Sequence, residues 1–245
     1  MAVPASTSVS MSSQPSADQA PAAVIEPSLP DYLRETYTWA YLDPRTVPWL
    51  DRPLVVSAIL WGNARRLMDA AVAEFTPGQR VLQAAAVYGD FSVRLARQLG
   101  PEGALTVVDV ARIQVANTRR KLEAWPTARV LRADLTEPQG TTFDAVCCFF
   151  LLHEVPPHAR QRIVGNLLAA VEPGGKIVFV DYHRPRWWHP MGPVMALVFR
   201  FLEPYARSLL AESIDTLVPA AADFDWHSET RFGGLYQKVV GVRRR

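Results

Sequence analysis

From residue 80 onward, short apolar runs alternate with amphipathic stretches. Residues 81–87 read as a buried strand, and 91–99 as a helix with Phe91, Leu95 and Leu99 on one side. The alternation continues with a strand over 104–109, a helix over 112–125 and a strand over 128–131. A strand over 143–150, a helix over 156–171 and a strand over 176–182 follow. Two last runs, 224–232 and 235–242, flank Gly233-Gly234 and read as an antiparallel hairpin. Strand-helix alternation with short links predicts a doubly wound α/β domain. Its seven-stranded sheet is mostly parallel, with the hairpin at its C-terminal edge.

The chain before residue 80 reads differently. Residues 1–29 are rich in Ala, Ser and Pro without periodicity, the pattern of a disordered tail. Residues 30–79 form an aromatic cap, with Tyr32, Tyr37, Trp39, Tyr41 and Trp49 crowded among prolines. They suit either packing on the main domain or a lid over a flat, apolar substrate. Residues 54–75 carry a helical pattern that Pro53 opens and Thr76-Pro77-Gly78 closes. An insertion at 183–210 interrupts the α/β domain, which spans 80–245. Its apolar helix at 194–202 follows Trp187 and Trp188, with Arg186 and Arg200 nearby. It reads as a core helix under a loop, or as a contact with a membrane surface or lipid substrate.

Composition narrows the class. The chain has 245 residues, 49% of them hydrophobic, enough for one sizeable core. The net charge of +2 is too small to argue for nucleic acid. Cys147 and Cys148 are adjacent, so on a strand they face opposite ways and do not pair. No Lys or Arg precedes Arg34, so neither a secretory signal nor a transit peptide is legible, and a cytoplasmic location is expected. No apolar run is long enough to span a membrane.

The turn after the first strand carries the candidate chemistry. Strand, turn and helix over 81–99, with Asp109 ending the next strand, form the opening of a nucleotide-binding unit. The position resembles the first motif of class I S-adenosyl-L-methionine (AdoMet) methyltransferases, which reads Glu-x-Gly-x-Gly-x-Gly after two hydrophobic residues. Here the acid is Gln83, two of the glycines are Ala85 and Val87, and Gly89 remains. The resemblance covers roughly 80–182 and implies a Rossmann-like class I methyltransferase fold. It also implies AdoMet contacts at Gln83, Ala85, Tyr88 and Gly89. Ribose contacts are expected at Asp109 with Val110, adenine contacts at Asp134 with Leu135, and a further contact at Phe149. Candidate acid/base residues near the carboxyl edges of strands are His153, Tyr88, Tyr182 and His183. His158, His189 and His227 read as surface or structural residues.

A closer resemblance lies in three stretches: 35–45 (ETYTWAYLDPR), 58–63 (AILWGN) and 87–92 (VYGDFS). They are similar to the RquA family of rhodoquinone-biosynthesis proteins, over about 31–242. That resemblance implies conversion of ubiquinone to rhodoquinone, a ring methoxy group giving way to an amino group. It implies AdoMet as nitrogen donor and manganese(II) as a helper. Asp134, Asp181 and the histidines offer oxygen and nitrogen ligands, but no spacing singles out a metal site. The expected location is peripheral, on the cytoplasmic side of a bacterial inner membrane, since the quinone lives in the bilayer. The alternatives are an ordinary quinone or phenol methyltransferase, and a non-catalytic AdoMet-binding subunit of a quinone-making complex.

Overall fold

The computed structural model describes residues 28–245. The tail expected over 1–29 therefore lies outside the described residues, apart from Ser28 and Leu29. Leu29 packs with Leu33, Tyr37 and Ala111. The cap comprises α1 (Asp31–Thr36), a single π-helical turn (Thr38–Leu42), α2 (Val47–Leu50), α3 (Pro53–Ile59) and α4 (Ala64–Val72).

The domain beneath the cap alternates as the hydrophobic pattern predicts. It runs β1 (Arg80–Ala84), α5 (Phe91–Leu99), β2 (Ala104–Asp109), α6 (Arg112–Lys121), β3 (Ala128–Arg132) and β4 (Phe143–Phe149). Then come α7 (Pro157–Ala169), β5 (Val171–Tyr182), α8 (Gly192–Phe201), α9 (Ala206–Leu209), β6 (Phe224–Arg231) and β7 (Tyr236–Arg243). The strands lie in the order β3-β2-β1-β4-β5-β7-β6. The five strands β1 to β5 are parallel, and β7 runs antiparallel to both β5 and β6. The chain starts in the middle, winds out to β3, then returns to place β4 beside β1. That reversal opens a crevice at the carboxyl ends of β1 and β4, where open α/β sheets bind ligands.

Two apolar layers hold the sheet. Val81, Val107, Cys147 and Val178 face one way, against Leu67 and Met68 of α4 and Leu95 and Leu99 of α5. Leu82, Val108, Cys148 and Phe179 face the other, against Ile163, Val164 and Leu167 of α7. Strand side chains alternate between faces, which puts the adjacent cysteines in different layers, both free and buried.

Two local departures have clear causes. The helix expected over 54–75 is broken: Trp61 and Gly62 take φ of 51° and 76°. Asn63 Nδ2 donates to the carbonyls of Leu60 (3.2 Å) and Trp61 (3.0 Å), which satisfies the open end of α3. The break turns Trp61 toward α8, where its Nε1 donates to Met195 Sδ at 3.2 Å. Residues 172–175, between the expected helix and strand, form a bulge at the start of β5. Phe143 pairs with Val171, and pairing resumes at Ala145 with Lys176. A Cβ on Gly175 would sit 2.7 Å from the Asp144 carbonyl oxygen, so only glycine fits without a backbone shift. Gly175→Ala is expected to cost about 1–3 kcal/mol of stability by urea unfolding. Unchanged stability would mean that the bulge yields freely.

Candidate active site at the carboxyl edge of the sheet

The turn after β1 is fixed by the end of β2. Asp109 Oδ2 accepts the Ala86 N–H and Oδ1 accepts the Ala111 N–H, both at 2.8 Å. Burial outweighs these two bonds and pushes the Asp109 carboxyl up to about 6. Ala85 holds φ of 65°, a left-handed conformation that glycine adopts more easily. Gln83 is fully buried on β1; its Nε2 donates to the Ala85 carbonyl at 2.9 Å, and its Oε1 accepts nothing. An open buried acceptor beside this turn suits a ligand N–H.

Asp109, Val110, Asp134 and Leu135 line a small cavity of about 60 Å3, closed from the cap side by Tyr32, Leu33 and Tyr41. This places the acids of two strand ends and two apolar neighbours around one space, as a nucleoside requires. Asp134 Oδ1 also accepts the Thr136 N–H at 2.8 Å.

A larger cavity of about 460 Å3 adjoins it, sharing Tyr41 and Ala86 as walls. Trp39, Ala40 and Tyr41 contribute from the π-helical turn, and Ile59, Leu60 and Trp61 from the end of α3. Phe149, Phe150, His153 and Tyr182 form the floor, and Met195, Val198 and Leu202 the wall on the α8 side. The lining is mostly apolar and aromatic. Among the described residues four non-glycines have positive φ, and three of them (Trp61, Ala85 and Phe150) line these two cavities. Backbone strain of this kind collects at ligand sites.

Polar groups from both cavities and from β5 converge on His153. Its Nδ1 lies 2.7 Å from Asp181 Oδ1, and its Nε2 lies 3.6 Å from Glu154 Oε1 and 3.9 Å from Glu203 Oε2. Burial opposes a charge on the ring. Asp181, Glu203 and Glu154 outweigh it and raise His153 from 6.5 to about 9, so it is an imidazolium at neutral pH. Burial also raises both Glu154 and Glu203 above the ordinary carboxylate range, against the His153 charge. The cap supplies the remaining partners: Tyr37 donates to Glu203 Oε2 at 2.8 Å, and Tyr41 donates to Glu154 Oε1. A charged donor beside carboxylates of raised proton affinity is a constellation for general acid–base chemistry.

The residues singled out from sequence fall into three places. His153, Tyr88, Tyr182 and Phe149 line the large cavity, and Ala85, Asp109, Val110, Asp134 and Leu135 line the small one. Gln83, Gly89 and His183 line neither. His183 Nδ1 bonds the Gly234 carbonyl at 2.9 Å, which ties β5 to the hairpin. Gly89 turns toward the cap, where a Cβ would meet Met68 and Val56. Tyr88 lines the cavity, but its hydroxyl is engaged: it donates to the Ala40 carbonyl and accepts from Gln114 Nε2 at 2.9 Å. Its ring stacks on Tyr41 with centroids 5.5 Å apart, and burial pushes its phenol well up. Such a phenol anchors the cap instead of exchanging protons. His189, read as surface or structural, is buried against Phe232.

Glu154, Glu203 and Asp51 had not been singled out for site roles, and Tyr37 and Tyr41 only as packing or lid aromatics. Asp51 pins the cap to the turn after β1. Its Oδ1 accepts the Gly89 N–H at 2.7 Å and Lys121 Nζ at 2.6 Å, and its Oδ2 accepts Asn117 Nδ2 at 2.9 Å. Glu203 carried one usable signal, being the sole acid between residues 182 and 211.

The donor set does not fit manganese. Among the described residues no group of three or more His, Cys, Asp or Glu side chains is arranged to hold a metal ion. Asp134 lines the small cavity, whereas Asp181 is bound by His153 and by the N–H groups of Leu152 (2.8 Å) and Tyr182 (2.7 Å).

Comparisons with known proteins bear on the fold. Residues 81–175 match a family model described as "Methyltransferase domain". The chain is 29% identical over 117 residues to the ubiquinone/menaquinone biosynthesis C-methyltransferase UbiE of Geobacter sulfurreducens, covering 46% of this chain and 45% of that one. It is 23% identical over 158 residues to demethylmenaquinone methyltransferase of Staphylococcus aureus, covering 63% and 61%. The match thus spans about half to three-fifths of the length of these curated relatives. An O-methyltransferase family protein from Burkholderia thailandensis superposes with a TM-score of 0.63 at 15% identity, over 83% of this chain and 61% of that one. The fold, with its seven-stranded mixed sheet and antiparallel C-terminal strands, is that of class I AdoMet-dependent methyltransferases.

Proposed function

We propose that this chain is a transferase that moves a group from AdoMet to the ring of a lipid-soluble quinone. In the finer reading the group is an amino nitrogen, and ubiquinone becomes rhodoquinone. One observation carries this reading. The three stretches that resemble the RquA family are scattered over 58 positions of sequence, yet all three contribute walls to the large cavity. Trp39 and Tyr41 come from the first, Ile59 and Trp61 from the second, and Val87 and Tyr88 from the third.

The residues around the small cavity suit the nucleoside of AdoMet once its cap-side wall withdraws, with Asp109 toward the ribose and Asp134 toward the base. AdoMet bound there supplies the transferred nitrogen. The large cavity takes the quinone ring, and its residues serve an addition–elimination. A ring carbon bearing methoxy is the electrophilic end of a vinylogous ester. The His153 imidazolium donates to the conjugated carbonyl and stabilises the negative charge that grows there on addition. Glu203, which lines this cavity and is raised by burial, accepts the proton that the incoming ammonium must lose; Glu154 stands beside His153 on the side of the small cavity. Departure of methanol restores the quinone with the nitrogen still joined to the AdoMet α-carbon. Tautomerisation to the α-imine, in which the quinone itself takes up the two electrons, followed by hydrolysis would then release the aminohydroquinone and leave the carbon skeleton as a 2-oxo acid. The work is placed on the cytoplasmic face of a bacterial inner membrane, where such quinones reside.

The names of the relatives favour a second reading, C-methylation of a demethylated quinol, in which the same carboxylate would deprotonate the phenol. AdoMet labelled with heavy nitrogen at its α-amine separates the two. Purified protein, ubiquinone and labelled AdoMet are expected to yield an aminoquinone carrying the label, read by mass spectrometry. A methylated product without the label would establish the second reading. Bound AdoMet without any product would favour a non-catalytic binding subunit.

A further inference from the structure

α8 carries two adjoining apolar stripes. Met195, Val198 and Leu202, spaced three and four apart, line the large cavity. Val194, Leu197 and Phe201, each one position earlier, face solvent, with Leu197 at 62% and Phe201 at 68% exposure. Arg200 is the sole polar side chain from Gly192 to Phe201. The surface therefore stays apolar from the cavity wall around the helix to the outside. Across the cavity, Ile59 and Trp61 are likewise both lining and exposed, and Leu54 on the same helix as Ile59 is 85% exposed. Ahead of α8, Trp187 stands 96% exposed beside the half-exposed Trp188. Isolated exposed apolar residues are ordinary, but this many around one cavity are not.

The charges beside these residues have one sign. Residues 52–68 contain Arg52, Arg65 and Arg66 and no acid; residues 182–202 contain Arg184, Arg186 and Arg200 and no acid. All six arginines are exposed. The rest of the chain is net acidic, since the whole sums to only +2 with these six arginines included. Arg186 lies 5.8 Å from the Trp188 ring and Arg200 5.4 Å from the Phe201 ring, so each guanidinium sits at the level of an apolar anchor. Tryptophan and arginine at one depth, around projecting aliphatic side chains, match the boundary between headgroups and acyl chains. Exposed arginines in two acid-free segments, beside exposed tryptophan and aliphatic side chains, fit an anionic lipid.

We propose that the α3–α8 face is a docking surface for an anionic bilayer. Trp187, Leu197 and Phe201 enter the interface, and the six arginines lie against lipid phosphates. The large cavity, whose walls include the exposed Ile59, Trp61 and Leu202, then lies beside the acyl region. The docking claim stands on the surface alone; a path for a quinone tail between bilayer and cavity rests on the quinone reading above.

Vesicle flotation tests it without any quinone. The full chain is offered vesicles of phosphatidylcholine alone, or of phosphatidylcholine with one-third phosphatidylglycerol. Flotation with the anionic vesicles, at least tenfold stronger than with the neutral ones, is expected. The triple variant Trp187→Ser, Leu197→Ser, Phe201→Ser alters only exposed side chains and is expected to lose most of that binding while keeping its far-UV circular dichroism. Protein that stays in the soluble fraction with both vesicle types overturns the proposal, as does a triple variant that floats as well as the parent. So does a stable dimer that the triple variant dissolves and that binds no vesicles, since the face would then belong to a second copy. Failure of docking with quinone conversion intact in detergent removes only this surface. Docking without any quinone conversion leaves the surface standing and removes the tail path.

Discussion

His153→Gln is expected to lower turnover about 10²–10⁴-fold while changing AdoMet affinity by no more than about threefold. Gln keeps the approximate volume and a donor but carries no proton to give and no charge. The effect belongs to turnover because His153 lines the large cavity, whereas the nucleoside-lining residues sit in the small one. Turnover and calorimetric AdoMet binding together check it, and unchanged turnover would remove His153 from the chemistry. The pH dependence carries an independent signature. The folded pKa of about 9 lies above the ordinary 6.5. The imidazolium therefore stabilises the fold fully below about 6.5, and that stabilisation is lost as pH rises through about 9. It amounts to on the order of 3 kcal/mol. Activity is expected to fall over the same upper limb, and His153→Gln is expected to flatten the stability slope. Asp181→Asn should pull both transitions toward lower pH, because it removes the largest attraction on the ring.

Asp51→Ala is the second large effect, expected to cost about 3–5 kcal/mol. Lys121 is mostly buried, and burial lowers its pKa. It is held by Asp51 and by the carbonyls of Val87 (3.3 Å) and Gly89 (2.9 Å). Removing Asp51 strands that cation and the Gly89 N–H, which otherwise has its acceptor in the cap. The loss should appear in urea unfolding. Lys121→Met added to Asp51→Ala should restore part of it, since the stranded charge is gone. Equal stability of the single variant and the parent would show that the cap is held elsewhere. Weakened AdoMet binding should accompany the loss, because Val87 and Gly89 belong to the turn after β1.

The sheet was legible because its signals are local. Alternation at β1, β2 and β4, the acid ending β2 and the Gly233-Gly234 turn each act within a few residues. Even the split of α3 from α4 left a trace, since Trp61-Gly62-Asn63 is poor helix material, but an unbroken apolar period masked it. The acid–base cluster was legible only at His153. Tyr37 and Glu203 meet across 166 positions, and Tyr41 and Glu154 across 113. Nothing near Tyr37 announces a carboxylate, and the aromatic crowding, read as packing or as a lid, gave no sign of bonds to one. His183 and Tyr88 were misleading for the opposite reason: strand-end position is legible, but the direction and engagement of a side chain are set by distant backbone, here Gly234 and Ala40.

The small cavity has a thermodynamic meaning. About 60 Å3 is well short of the several hundred that a drug-sized ligand fills. Tyr32, Leu33 and Tyr41 occupy the difference, so a nucleoside is admitted only as they withdraw. Tyr41 also bonds Glu154 and walls the large cavity, so its withdrawal unmakes part of the acceptor site. Ligands that share one movable wall cannot bind independently; each must alter the affinity for the other by the same factor. AdoMet should therefore weaken quinone binding, and the quinone AdoMet binding, by the same factor, which calorimetry with each ligand in the presence of the other would read.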